Sequence, residues 1–209
     1  MTPGQRAALG GQWRYYGIDP AGVLDLDRIF GRCAPRYLEV GFGMGDTLIQ
    51  LALAHPQHDY LGIEVYEPGI GHLLGRLAQL GVSNVRAVRG DAHEIFETSL
   101  PEQSFDGIFI FFPDPWPKRR HHKRRLVQPQ FVSLMSRKLR PRGVCHIVTD
   151  VEHYAQHMLD VLGRESTLRN QAGTGEFSQR PVNRPLTKFE RRGLAQGRSI
   201  WDMIFIRRE

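Results

Sequence analysis

Residues 37–46 read Tyr37-Leu38-Glu39-Val40-Gly41-Phe42-Gly43-Met44-Gly45-Asp46. The short run Tyr37 to Val40 predicts a strand, and glycines at alternate positions predict a tight turn after it. Asp46 reads as the N-cap of a helix through Ala54. Strand, glycine turn and helix together form the opening unit of a doubly wound α/β sheet.

The same alternation continues downstream. Tyr60 to Glu64 reads as a second strand, and Pro68 sits in the first turn of a helix reaching Leu80. Val85 to Val88 is a third strand, after which Asp91 opens a short helix. Phe105 to Phe111 is apolar almost throughout, which suits a strand buried on both faces. A helix from Pro129 to Leu139, a strand from Gly143 to Thr149 and a helix from Val151 to Leu162 follow. Ser166 to Arg169 and Ile200 to Arg207 read as strands, separated by a long loop from Gln171 to Gly197. The expected fold is a doubly wound, mostly parallel seven-stranded sheet with helices on both faces and an antiparallel C-terminal strand. Upstream, residues 1–35 read as an N-terminal arm with a short helix, in which Trp13, Tyr15 and Tyr16 pack the arm. Residues 36–209 read as a single domain.

With 209 residues, a domain of this size buries roughly 70% of its unfolded surface. A hydrophobic content of 41% and a charged content of 24% exclude a disordered chain. No apolar run reaches the roughly 18 residues that span a bilayer, and Met1 to Arg14 lacks the long apolar core of a secretory signal. Cys33 and Cys145 make neither a disulfide framework nor a zinc site, so a reducing, cytoplasmic location is expected. The net charge is +6, and residues 118–125, Lys-Arg-Arg-His-His-Lys-Arg-Arg, carry six positive charges. Subtracting them leaves +6 − 6 = 0 for the remainder. The basic character is therefore a local device.

The glycine turn selects among ligands by charge. Ligands of open α/β sheets sit beyond the carboxyl ends of the strands. A dinucleotide fingerprint needs a glycine three positions after Gly43, and Asp46 stands there, where it would repel a pyrophosphate. S-adenosylmethionine carries no phosphate, and its sulfonium and ammonium are cationic, so Glu39 and Asp46 suit it. Glu64, ending the second strand, is placed to accept from a ribose diol, and Asp91 to reach an adenine amino group.

The fourth strand ends in Pro113-Asp114-Pro115-Trp116-Pro117. Three prolines stiff in φ hold Asp114 and Trp116 at the strand end, beside the expected cofactor. A flat indole and a carboxylate are what a site needs to stack and orient a nucleobase. The basic run that follows offers charge to an RNA backbone.

Taken together, Leu38 to Gly45, Phe112 to Lys118 with Arg119 to Arg125, Thr149-Asp150 and Thr187-Lys188-Phe189-Glu190 resemble the bacterial-type tRNA (guanine-N7-)-methyltransferases. The resemblance runs from about Tyr37 to the end of the sequence. It implies a class I methyltransferase fold and methylation of a guanine in the tRNA variable loop. It implies Glu39, Gly41, Gly43, Gly45, Glu64, Asp91 and Asp114 at S-adenosylmethionine, with Asp114 catalytic. It implies Lys118, Asp150 and Thr187, Lys188, Phe189 and Glu190 at tRNA, to which the basic run adds Arg120, Lys123, Arg124 and Arg125. Glu190 or Asp150 is expected to accept from the guanine N1–H and amino group. No metal, membrane contact or obligate protein partner is expected, and the chain would act as a monomer or homodimer.

Two alternatives remain open at this point. A methyltransferase acting on an exocyclic amino group carries a related acidic-Pro-Pro-aromatic loop, but here Trp116 precedes Pro117. A non-catalytic RNA-binding protein of the same fold would show decay of the glycine turn or loss of Asp114, and neither is seen. His153 and His157 share a helix face without an evident third ligand and read as surface residues. Cys145, in an apolar strand, reads as buried and inert.

Overall fold

The computed structural model describes residues 1–209. Its elements, in chain order, are α1 (Pro3–Tyr16), β1 (Gly17–Ile18), α2 (Leu26–Phe30), β2 (Arg36–Val40), α3 (Asp46–Ala54), β3 (Asp59–Glu64), α4 (Glu67–Leu80), β4 (Val85–Arg89), α5 (Ala92–Thr98), β5 (Phe105–Phe111), α6 (Pro129–Lys138), β6 (Leu139–Thr149), α7 (Glu152–Arg164), β7 (Leu168–Asn170), α8 (Lys188–Ala195) and β8 (Trp201–Arg207). A turn of 3-10 helix spans Arg119–Arg124.

The strands form one sheet in the order β1-β4-β3-β2-β5-β6-β8-β7. All pairs from β1 to β6 are parallel, and β8 runs antiparallel between β6 and β7. Strand order reverses where β2 pairs with β3 on one side and β5 on the other. That switch point opens a crevice beyond the carboxyl ends of β2 and β5, where the glycine turn and the proline loop both emerge.

Alternation along each strand divides the core. Leu61 and Ile63 of β3 join Leu38, Ile108, Phe131 and Met158 on one side. Tyr60 joins Leu48, Ile70, Leu73 and Leu77 on the other. Gly62 lies on that second face because a Cβ there would come within 2.5 Å of the Phe42 ring. Both clusters are buried, and β3 contributes to each, so this strand of the switch point is clamped from both sides.

Four expectations change. The sheet has eight strands, since β1 adds a two-residue edge beside β4, too short to give an alternating pattern. The N-terminal arm is a built part of the domain. Thr2 and Gln5 form a reciprocal capping box on α1, and α1 lies so close to α4 that a Cβ on Gly71 would sit 2.3 Å from the Gln5 carbonyl oxygen. The N-cap of α3 is Gly45 in the left-handed region, and Asp46 is the first helical residue, making no side-chain cap. Its charge still favours the helix N-terminus. The stretch 171–197 contains α8, whose only buried residues are Glu190 and Gly193, so no buried apolar face announces it.

Candidate active site

The glycine turn is left-handed at each glycine, with φ of 71° at Gly41, 57° at Gly43 and 78° at Gly45. The Gly41 N–H donates to the Ile63 carbonyl at 2.8 Å. The Gly43 N–H donates to Glu64 Oε2 at 2.7 Å, and Glu64 Oε1 accepts from the N–H groups of Val65 and Tyr66 at 2.7 and 2.9 Å. Three backbone donors thus fix this carboxylate at the end of β3, and Oε2 keeps a free lone pair. Asp91 caps α5 through Oδ1, which accepts from His93 and Glu94, while Oδ2 makes no bond. A Cβ built on Gly41 or Gly43 would meet nothing within 4 Å. The turn is therefore the wall of an open cleft of about 520 Å³, lined also by Glu39, Phe111, Phe112 and Thr187.

Glu39 is the most constrained acid in this cleft. Its residue is 3% exposed, and Oε2 has no hydrogen-bond partner. Burial, then the neighbouring charges of Glu64 and Asp46, push its carboxyl up to about 8. A buried acid with an open acceptor and two acidic neighbours is a receptor for a cation. S-adenosylmethionine fits this donor set: an ammonium would satisfy Glu39, and the free lone pair of Glu64 can take a ribose hydroxyl.

The proline loop stores backbone strain on both sides of Asp114. Phe112 has φ of 54° and Trp116 of 42°, both unusual for bulky residues. The Phe112 N–H is anchored to the Val148 carbonyl at 2.8 Å. Asp114 is exposed, with its neighbours half-buried. The basic run does not trail into solvent but folds back as the 3-10 turn. His121 meets the Trp116 ring edge-on at 5.9 Å, and the Arg124 guanidinium lies 5.0 Å over it. Lys118, Arg120, Lys123 and Arg124 are exposed, as is Arg119.

Arg125 departs from the expectation. It is 4% exposed, its Nε donates to the Pro115 carbonyl at 2.9 Å, and its guanidinium lies 4.5 Å from the Tyr154 ring centroid. Facing inward, it holds the proline loop from beneath and is withdrawn from any phosphate.

Helix α8 closes the other wall. Thr187 caps it by accepting from the Glu190 N–H at 3.0 Å. Phe189, 58% exposed, stacks on Phe112 with ring centroids 6.2 Å apart and planes 21° off parallel. Lys188 is exposed. Glu190 also departs from the expectation. Its oxygens accept from Arg180 Nε and from Arg184 Nη1 and Nη2 at 2.7, 2.7 and 2.9 Å. Burial pushes its carboxyl up, but the bonds and charges of Arg184 and Arg180 prevail and hold it below the usual range. It is a buried counter-ion closed to a base. Asp150 is half-buried and accepts from Arg198 at 2.6 Å through Oδ2, leaving Oδ1 open.

Sequence reasoning passed over the residues that anchor α8. Arg184 also reaches Asp202 Oδ2 at 3.3 Å, and Asp202 Oδ1 bonds His146 Nε2 at 2.7 Å. Asp202 alone carries a signal, a lone carboxylate within the apolar run 201–206. His157 bonds the Val127 carbonyl at 3.0 Å, and no cluster of three or more His, Cys, Asp or Glu could hold a metal ion. No helix is long and apolar enough to cross a membrane.

Residues 33–203 match a family model described as "Putative methyltransferase". A curated tRNA (guanine-N(7)-)-methyltransferase from Alkalilimnicola ehrlichii is 51% identical over 212 residues, covering 100% of this chain and 89% of its own length. The chain belongs to this family. Another member, from Nitrosococcus oceani, is 51% identical over 99% of the chain and 86% of its own. Among solved structures, the 30S ribosomal A1408 methyltransferase from an uncultured bacterium superposes with a TM-score of 0.63 at 16% identity, covering 92% of this chain and 98% of that one. The 16S rRNA methyltransferase KamB gives 0.63 at 12% identity, covering 93% and 98%. At these identities the likeness is one of fold.

Proposed function

We propose that the chain transfers a methyl group from S-adenosylmethionine to N7 of a guanine in the variable loop of tRNA. The observation that carries this is the arrangement at the switch point. The orphaned Glu39 carboxyl lies in the cleft beside the glycine turn, the strained Asp114 loop emerges from β5 at the same crevice, and five exposed cations follow that loop directly. Half-identity along the full length to members bearing this activity in their names supports the choice of atom and RNA.

Guanine N7 carries a lone pair and no proton, so the site needs no base to create the nucleophile. When bound, S-adenosylmethionine supplies an electrophilic methyl group on a sulfonium. The work of the protein is alignment, which contributes roughly 7–11 kcal/mol in well-oriented cases. Glu39 and Glu64 hold the donor's cation and ribose, and Asp91 its adenine. Asp114, rigid and solvent-facing at the loop apex, stabilises the positive charge that the base gains. Lys118, Arg119, Arg120, Lys123 and Arg124 hold the RNA backbone beside it. Asp150, through its open Oδ1, is the acceptor left for the guanine edge, since Glu190 is enclosed. That the chain carries all these groups itself supports action without an obligate protein partner, and a tRNA substrate supports a cytoplasmic location.

The test is incubation with labelled S-adenosylmethionine and unmodified tRNA, followed by digestion to nucleosides. Label in 7-methylguanosine is expected. Label in any other nucleoside, or none, overturns the reading.

A further inference from the structure

The cleft that holds Glu39 is lined by charges of both signs. Glu39 and Asp46 lie at the glycine turn. Further along α3 and α4 the lining continues with Leu53, Arg76 and Leu80, and α8 adds Lys188, Arg191 and Arg192. Leu53 lies seven residues along α3 from Asp46, about 10 Å at helical rise. There Leu53 and Leu80 leave apolar surface exposed. Arg76 bonds only Gln79, at 2.6 Å, and Arg191 only the Leu186 carbonyl, at 3.0 Å. Neither they nor Arg192 joins an ion pair.

Unpaired guanidiniums around an apolar wall match one ligand chemistry well, an anionic backbone carrying a flat, weakly polar ring. The Phe112–Phe189 stack lines the same cleft, and Phe189 is exposed. A cationic donor is disfavoured beside the arginines by charge, and an anionic chain is disfavoured beside Glu39 and Asp46 for the same reason.

We infer that the arginine-lined part of this cleft is a separate subsite for a nucleotide flanking the methylated guanosine, with its phosphates on Arg76, Arg191 and Arg192 and its base against Leu53 and Leu80. The subsite rests on the tRNA reading above and deepens it. The RNA then straddles the reaction site, held by the 3-10 turn on one side and α8 on the other.

The test replaces Arg76, Arg191 and Arg192 together by alanine. All three are exposed and make no structural ion pair. Binding of tRNA is followed by fluorescence anisotropy across a salt series, and binding of S-adenosylmethionine by calorimetry. The expected result is an affinity for tRNA about tenfold weaker and a salt slope smaller by about 2, as loss of three phosphate contacts requires. Cofactor affinity stays within about twofold, because these cations do not serve a cationic ligand. A second variant, Leu53→Glu, places a carboxylate on the same wall and is expected to weaken tRNA in the same way. Unchanged tRNA affinity and slope in both variants overturn the proposal, as does a matching loss of cofactor affinity, which would give the whole cleft to the cofactor. Because the readout is binding, these losses in the variants together with a wild-type protein that forms no 7-methylguanosine would sink the functional reading and leave the subsite standing.

Discussion

Arg184 donates to both carboxylate oxygens of Glu190 in a fork, at 2.7 and 2.9 Å, with the two residues only 5% and 1% exposed. This pair, extended by Asp202 and His146, is what keeps α8 against the sheet. It explains how a loop-rich segment with little apolar surface presents Thr187 to Phe189 in a fixed place.

Arg184→Ala is expected to destabilise the protein by about 3–5 kcal/mol, since it strands buried carboxylates. Arg184→Lys is expected to recover little, because an ammonium cannot make the fork. Chemical denaturation reads both, and an unfolding midpoint unmoved by the alanine variant would remove the pair from the stability of the fold.

The Glu39 carboxyl yields a pH dependence with a defined sign. Its proton is held up to about pH 8 in the free protein and released near the ordinary 4.5 on unfolding. The folded state binds the extra proton between those values, so stability of the free protein falls as pH rises through that window. Binding a cation requires the carboxylate, so S-adenosylmethionine affinity rises over the same window with release of up to one proton. Glu39→Gln is expected to abolish both slopes. Calorimetry in buffers of different ionisation enthalpy counts the proton, and equal proton release by wild type and variant would exclude Glu39.

Asp114 is exposed, so its removal costs the fold little. Asp114→Ala is expected to lower kcat by about 10² to 10³ with the unfolding midpoint unchanged. A kcat retained within a few-fold would take Asp114 out of the reaction.

Arg124 and Arg125 are adjacent and are predicted to fail differently. Arg124→Ala is expected to weaken tRNA binding and lower its salt slope by about 1, with thermal stability intact. Arg125→Ala leaves the Pro115 carbonyl without its donor and the Tyr154 face bare, and is expected to cost about 1–3 kcal/mol of stability. The same effect from both would refute the inward placement of Arg125.

The parallel core of the fold is legible because its evidence is local. Tyr37 to Val40, Tyr60 to Glu64 and Phe105 to Phe111 are short, mainly apolar runs broken only by glycine and by Glu39, Glu64 and Asp106, and glycines punctuate the first turn. What escapes reading is set by distance or by short length. Gly17 and Ile18 become a strand only because the edge of β4 is open to them. Helix α8 is held by charges that meet across the fold and buries only Glu190 and Gly193, so no core-facing apolar residue marks residues 188–195. Arg125 is indistinguishable from Arg124 in a basic run, since only the placement of Tyr154 and Pro115 decides which of the two turns inward. Glu190 reads as a ligand for a base until Arg180 and Arg184 are seen around it.

Strand β8 enters between β6 and β7, which orders assembly in time. Strand β7 has no place in the sheet until residues 201–207 have been made and inserted. His146 and Asp202 stand 56 positions apart, so this closure is a long-range, slow event. Until it happens, β6 offers an open edge and His146 an unmatched ring. During synthesis that edge is the stretch of the molecule most exposed to pairing with a neighbouring nascent chain.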